Sequence, residues 1–78
     1  MQVDILSPDK DLFSGAATLV SLPGKDGSLG ILENHAPLIT TLKKGTIKIE
    51  SKEQGTLTFE VNGGVVEVLK NKVIILAD

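Results

Sequence analysis

Two features of this 78-residue sequence could carry chemistry, a single histidine and a glycine-rich segment that contains a lysine. His35 is the one side chain that titrates near neutrality without perturbation, so it is the first candidate for acid–base catalysis. It lies two residues before Pro37, and no serine or cysteine motif supplies the nucleophile of a catalytic triad. We therefore interpret His35 as a surface or interface residue and expect no catalytic residue in this chain.

The glycine-rich segment is Gly24-Lys25-Asp26-Gly27, whose backbone amides could form a concave anion site. A phosphate-binding P-loop also requires a Gly-Lys-Ser/Thr sequence followed by the N-terminus of a helix. Here the next residues, 28–31, are predicted to be extended chain, so we expect neither a phosphate site nor a cofactor. With no cysteine, one histidine and scattered carboxylates, the sequence also predicts no metal site.

Composition restricts the classes of partner. Ten acidic residues stand against eight lysines, arginine is absent, and the only aromatic residues are Phe13 and Phe59. Nucleic-acid binding, which relies on basic surfaces, arginine contacts to bases and aromatic stacking, is therefore not expected. No apolar run approaches the roughly 20 residues that span a bilayer, and no charged leader precedes an apolar core, so we expect no direct membrane insertion.

Short strands separated by turn signals are predicted along the whole chain. Apolar and polar residues alternate in 46–50 and again in 56–61, as in half-buried strands. The segment 13–15 is interpreted as a break, and 23–38 as an irregular connection. Further strands are predicted for 2–6, 17–22, 38–42, 65–69 and 73–77, and the last, an unbroken apolar run, is expected to be covered on both faces. No segment has a helical period, so residues 1–78 are predicted to form one all-β domain, an antiparallel β-sandwich of two sheets or flattened barrel.

Several motifs, in order, resemble a known family. The central one is Pro-Gly-x-x-Gly-x-x-Gly-Ile-Leu at 23–32, followed by His-Ala-Pro-Leu at 35–38. The others are Asp4-Ile5-Leu6-Ser7-Pro8, Leu12-Phe13-Ser14-Gly15, Leu42-Lys43-Lys44-Gly45-Thr46-Ile47, Gly63-Gly64-Val65-Val66-Glu67-Val68 and Val73-Ile74-Ile75-Leu76-Ala77-Asp78. Together they resemble the epsilon subunit of F-type ATP synthases. The resemblance runs from about residue 3 to residue 78 and covers only that family's amino-terminal β domain, without the two carboxyl-terminal helices of most members.

The resemblance implies a non-catalytic rotor component of the central stalk. Such a subunit links the gamma subunit to the membrane c-ring, so that ion-driven rotation is coupled to ATP synthesis. The family's contact regions, carried over to this sequence, imply c-ring contacts by Lys25, Asp26, Gly27 and Ser28, and gamma contacts by His35, Ala36, Pro37, Leu38, Leu42 and Lys43. Among these, Leu42 is expected on the surface, where an apolar side chain could anchor gamma.

The resemblance also implies a location and a departure from the family pattern. We expect a peripheral protein at the cytoplasmic face of the cell inner membrane, without ATP binding, because the family's nucleotide-binding element lies in the missing helices. Glu33-Asn34 stands where the family usually has Pro-Gly. Asparagine tolerates left-handed backbone, so the turn is expected to survive.

An alternative reading is a biotinyl or lipoyl carrier, or another small β-sandwich interaction domain. Carrier domains are also flattened β-structures of about this length with valine-rich strands. They need a modifiable lysine at an exposed hairpin tip in a Met-Lys-Met or Asp-Lys-Ala context, and neither context occurs here. A lipoyl or biotinyl adduct on protein from the native host would favour this alternative.

Overall fold

Nine β-strands and no helix make up the fold in the computed structural model, which describes residues 1–78. With no helix present, the fold contains none that is long and apolar enough to cross a membrane. The predicted all-β class is confirmed. The strands are β1 (Gln2–Leu6), β2 (Asp11–Ala16), β3 (Leu19–Gly24), β4 (Gly27–Leu32), β5 (Leu38–Leu42), β6 (Gly45–Ser51), β7 (Gly55–Val61), β8 (Gly64–Leu69) and β9 (Lys72–Ala77).

The strands form one curled sheet that divides into two parts at a corner. We call β2-β1-β9-β8-β5 the first sheet and β4-β3-β6-β7 the second sheet. The two are joined by ladder pairing only where Leu42 of β5 meets Gly24 of β3, and there the Lys43 amide donates to the Pro23 carbonyl at 2.8 Å. The pairing is antiparallel throughout, as predicted, except that β1 and β9 are parallel. The result is the predicted β-sandwich.

The core between the two sheets is wholly apolar. Sixteen hydrophobic residues are buried, and no polar or charged residue is. In β6, Ile47 and Ile49 are fully buried while Lys48 between them is exposed, as the alternation predicts. Burying a side chain of this size contributes roughly 1.5–3 kcal/mol, so this inner layer is the main source of stability. At the ends of the strand order, β2 and β7 approach through Phe13 and Phe59, whose ring centroids lie 6.0 Å apart.

All predicted strands are present, although the one expected at 17–22 lies at 19–24. The sequence interpretation was wrong at two glycine-containing segments. Residues 13–15 are not a break but lie within β2, which pairs with β1, and most of 23–38 is the regular β3–β4 hairpin. Glycine is needed at the hairpin for close approach, because a Cβ atom on Gly24 would lie 2.7 Å from the Gly27 carbonyl oxygen.

The prediction that 73–77 is covered on both faces is also wrong for this chain. Val73, Ile75 and Ala77 point into the core, whereas the Leu76 side chain is 52% exposed on the other side of β9. The alternation of a strand places every second residue on the outer face whatever its polarity. An apolar run therefore indicates that two faces are apolar, but not that both are covered within the same chain.

Gly64 should be the glycine on which the fold depends most. It has a φ of 146°, and a Cβ atom there would lie 2.2 Å from the Leu76 carbonyl oxygen, whereas Gly55, with a φ of 74°, has open space around that position. We expect Gly64→Ala to lower the free energy of unfolding by about 3 kcal/mol or more, and Gly55→Ala by about 1 kcal/mol. Urea unfolding followed by circular dichroism measures both; equal losses would contradict the role of the Leu76 contact.

Candidate interaction site

The hairpin between β3 and β4 carries the residues predicted to meet the c-ring. Lys25 and Asp26 form the exposed turn, and Gly27 and Ser28 begin β4. The Lys25 amide donates to the Thr41 carbonyl oxygen at 3.1 Å, which attaches the turn to the end of β5. These four residues therefore form one exposed tip on a hydrogen-bonded hairpin.

The loop between β4 and β5 carries three of the residues predicted to meet gamma. His35 is half-buried, and Ala36 and Pro37 are exposed. The Nδ1 atom of His35 lies 2.7 Å from the Ala36 carbonyl oxygen, and its backbone amide donates to the Leu32 carbonyl at 3.2 Å. The ring contact lies within the loop, and the amide contact reaches only the last residue of β4. The hydrogen bonds of His35 are therefore local to its own loop.

A polar network holds the start of this loop against the turn between β8 and β9. Asn34 has a φ of 60°, which confirms the left-handed turn predicted where the family usually has Pro-Gly. The Asn34 amide donates to Oδ1 of Asn71 at 2.8 Å, and Nδ2 of Asn71 donates to Oε2 of Glu33 at 3.0 Å. The other Glu33 oxygen accepts from the Met1 ammonium, which also donates to the Ala17 carbonyl at 3.0 Å. Three segments distant in sequence thus meet at Glu33.

The network stabilises the charged form of Glu33. The Met1 ammonium, and after it the Asn71 amide, hold the pKa of this carboxyl below its usual value, because each donates a hydrogen bond to the carboxylate. Burial, which would raise the pKa, is the weaker influence.

Strand β5 lies between the predicted contact regions, and its alternation separates core residues from surface residues. Leu38, half-buried, and Leu42, only 6% exposed, pack in the core, while Lys43 is exposed just beyond the strand. The expectation that Leu42 lies on the surface is therefore wrong. Both faces of β5 carry large apolar residues, so the alternation alone did not indicate which face is inward.

The surface feature that sequence reasoning missed is an apolar patch on the outer side of the first sheet. Ile39 is 72% exposed, Leu76 52% and Val65 38%, and the half-buried Ile74 lies beside them. We call these four residues the outer apolar face. Val65 pairs with Leu76, and the exposed Glu67 lies between Ile39 and Ile74, with which it pairs; together the five line a shallow depression of about 210 Å³. The signal in the sequence was the unbroken apolar run of β9, two of whose residues point outward.

The outer side of β6 and β7, in the second sheet, has the opposite character. Thr46, Lys48, Thr58 and Glu60 are all exposed there, on β6 and β7. Contiguous exposed apolar patches on small proteins usually mark interaction sites, whereas a polar sheet face is suited to water. The contrast points to the outer apolar face, rather than the outer side of β6 and β7, as a partner surface.

This fold and surface define a small β-sandwich whose candidate site is a docking face, without any cluster of residues that could hold a metal ion. The profile of the family described as the ATP synthase delta/epsilon chain, β-sandwich domain, matches residues 1–78. The chain belongs to this family. The assignment confirms the resemblance drawn from the sequence motifs and the expectation of a non-catalytic subunit rather than an enzyme in its own right.

Individual relatives agree with the family assignment. The chain is 44% identical over 78 residues to the ATP synthase epsilon chain 1 of Methylococcus capsulatus and 44% identical to the ATP synthase epsilon chain of Bordetella petrii. All of this chain is aligned in both cases, but it spans only 56% and 55% of those two proteins. The chain therefore corresponds to about half the length of these relatives.

Solved structures agree with the fold. A chain of the Euglena gracilis mitochondrial ATP synthase superimposes with a TM-score of 0.88 at 17% identity, over 96% of this chain and 48% of that one. A chain of the Tetrahymena thermophila mitochondrial ATP synthase central stalk and c-ring gives 0.83 at 22% identity, over 99% and 62%. At these identities the similarity establishes the fold.

Burial of Leu42 leads to a test of the corrected site. Leu42→Asp places an unpaired carboxylate in the apolar core, so we expect it to lower the free energy of unfolding by at least about 4 kcal/mol. Ile39→Asp, on the exposed side of the same strand but opposite Glu67, should lower it by only about 1 kcal/mol. Thermal and urea unfolding of the two variants provide the measurement; a Leu42→Asp domain as stable as the wild type would overturn the core assignment.

The Glu33 network predicts a pH-dependent contribution to stability. Because the folded-state pKa of Glu33 is lowered, its contribution is present above the ordinary carboxyl value of 4.5 and is lost as pH falls through the folded-state pKa. We expect Glu33→Gln to lower Tm at neutral pH, and the difference from wild type to narrow in acid. Glu53→Gln, at an exposed carboxylate without a hydrogen bond, is the control. A Glu33→Gln difference that stays constant with pH would refute the prediction.

Proposed function

We propose that this chain is the amino-terminal domain of an ATP synthase epsilon subunit and a non-catalytic part of the central-stalk rotor. In this role it connects the gamma subunit to the c-ring, so that ion-driven rotation is coupled to ATP synthesis, and it is held peripherally at the cytoplasmic face of the inner membrane. Family membership and the likeness to chains of two ATP synthases support the proposal. The observation that carries it is the outer apolar face, which suits a permanent partner rather than a small ligand.

The proposed gamma surface combines this face with the residues inferred from the sequence. His35, Ala36 and Pro37 lie before the first residue of β5, and Lys43 follows its last residue. The outer apolar face extends between these two ends, on β5, its neighbour β8 and the next strand, β9. Leu38 borders the surface from the core side, and Leu42 contributes by holding β5 in place rather than by contact.

The proposed c-ring surface is the Lys25–Ser28 tip, at the other end of the sandwich from the β4–β5 loop. The tip is attached to the Leu42 end of β5, whereas the loop enters β5 at Leu38, about 13 Å away at a rise of about 3.3 Å per residue. Its exposed lysine, aspartate and serine suit a polar partner surface. This separation lets one rigid body contact two partners at the same time.

The proposed mechanism is mechanical, and the sandwich has the stiffness that it requires. Of 45 backbone hydrogen bonds, 37 lie within the strands, so the two contact regions are connected through sheet rather than through loops. A force applied at the tip is transmitted along hydrogen-bonded strands and a close-packed core, which deforms little.

The proposal is tested by the affinity of the domain for the gamma subunit of the same host, measured by calorimetry. Ile39→Asp removes apolar contact and buries a charge, so we expect binding about tenfold weaker or worse. Thr58→Asp, which adds the same charge on the polar outer side of β7, opposite Lys48, should stay within about twofold. No measurable wild-type binding, or equal losses in the two variants, would sink the proposed gamma surface.

A further inference from the structure

Asn71 makes contacts that its own turn does not require. It forms the connection between β8 and β9 with Lys70, and both residues have positive φ, 61° and 50°. Hairpin turns with two such residues favour asparagine and glycine, because both tolerate left-handed backbone. Glycine would therefore suit the backbone of the turn equally well. The positive φ alone does not account for asparagine at position 71.

The Asn71 side chain instead satisfies the β4–β5 loop, 37 positions earlier in the chain. Its Oδ1 atom accepts from the Asn34 amide at 2.8 Å, and its Nδ2 atom donates to the Glu33 carboxylate at 3.0 Å. Both ends of one amide are used, one on the backbone and one on a side chain of the same loop. Aspartate would retain the acceptor but lose the donor and set a second carboxylate against Glu33.

The loop has few other means of keeping its shape. Residues 33–37 belong to no strand, and Glu33, Asn34, Ala36 and Pro37 are exposed. The His35 amide bond to Leu32 is local, so the Asn71 contacts, with the Glu33 contact to Met1, are the long-range hydrogen bonds of the loop. A loop that is ordered before it binds loses less conformational entropy on association.

We propose that Asn71 is a positioning residue that orders the β4–β5 loop for the partner that docks against it. The inference rests on the proposed function, in which His35, Ala36 and Pro37 contact gamma. Asn71 itself need not touch the partner; it acts by holding Asn34 in the left-handed conformation from which the loop departs.

The test compares two glycine variants of the same turn. Asn71→Gly removes both loop contacts and keeps a residue suited to positive φ, and Lys70→Gly makes the equivalent backbone change without touching the loop. In the free domain, we expect amide hydrogen exchange at Asn34 to accelerate in Asn71→Gly and to stay at the wild-type rate in Lys70→Gly. Binding to the host gamma subunit, measured well below the Tm of both variants, should weaken about tenfold in Asn71→Gly and less than about twofold in Lys70→Gly.

Asn71→Asp separates the two contacts. It retains the acceptor for the Asn34 amide, so its exchange rate and affinity should fall between those of wild type and Asn71→Gly. Unchanged Asn34 exchange in Asn71→Gly, or gamma affinity equal to that of Lys70→Gly, overturns the inference. If wild-type domain does not bind gamma, the proposed function fails instead, and the exchange experiment alone decides whether Asn71 orders the loop.

Discussion

The corner at which β5 meets β3 is the contact on which the rest of this small domain depends. Two backbone hydrogen bonds, from Lys25 to Thr41 and from Lys43 to Pro23, enclose the Gly24–Leu42 pair and connect the two sheets. They fix the register of β5 against β3, and the five-residue ladder with β8 fixes it within the first sheet. A register change of one residue would exchange the two faces of β5. Because of this register, Leu42 points into the core and Ile39 points away from it.

The direction of the side chains also determines which apolar residues stabilise the core and which are exposed to a partner. Inward residues of both sheets form a core without a single buried polar group, whereas outward residues of β5, β8 and β9 leave an apolar face exposed. A domain of 78 residues buries only about 60% of the surface of its unfolded chain, so its core provides limited stability. A partner that covers the outer apolar face would add buried area where the chain itself has no further layer to supply it.

At the end of the sandwich opposite the hairpin tip, order comes from polar contacts instead. Glu33 and Asn71 connect the β4–β5 loop to the chain start and to the β8–β9 turn, and Asn34 supplies the left-handed residue. Loops have no strand partner to define their shape, so side-chain hydrogen bonds take that part. The two contact regions of the proposed rotor domain are therefore held by different means, the tip by a β-ladder and the loop by side-chain amide and carboxylate groups.

Sequence alone determined the class of the fold, most strand positions and the family. Alternation in Thr46–Glu50 and Thr56–Val61 identified half-buried strands, because a two-residue period has a direct counterpart in strand geometry. The motifs around Pro23–Leu38 indicated the family, which the profile over residues 1–78 confirms. Asparagine at position 34 was correctly expected to adopt a left-handed turn, because this preference is local.

Only the tertiary structure decided which apolar residues are core and which are surface. Ile39 and Leu42 are both large, aliphatic and on one strand, and the pairing of that strand with β8 and β3, both distant in sequence, sets their directions. The run in β9 likewise revealed two apolar faces, but the absence of a covering layer over Leu76 depends on where every other strand lies.

The contact between Asn71 and the loop at Asn34 joins residues 37 positions apart, and no local preference of either residue encodes it. Strand periodicity and turn preference depend on neighbouring residues, so the sequence reveals them. Which side chains point inward, and which long-range hydrogen bonds form, is decided only when the two sheets fold together.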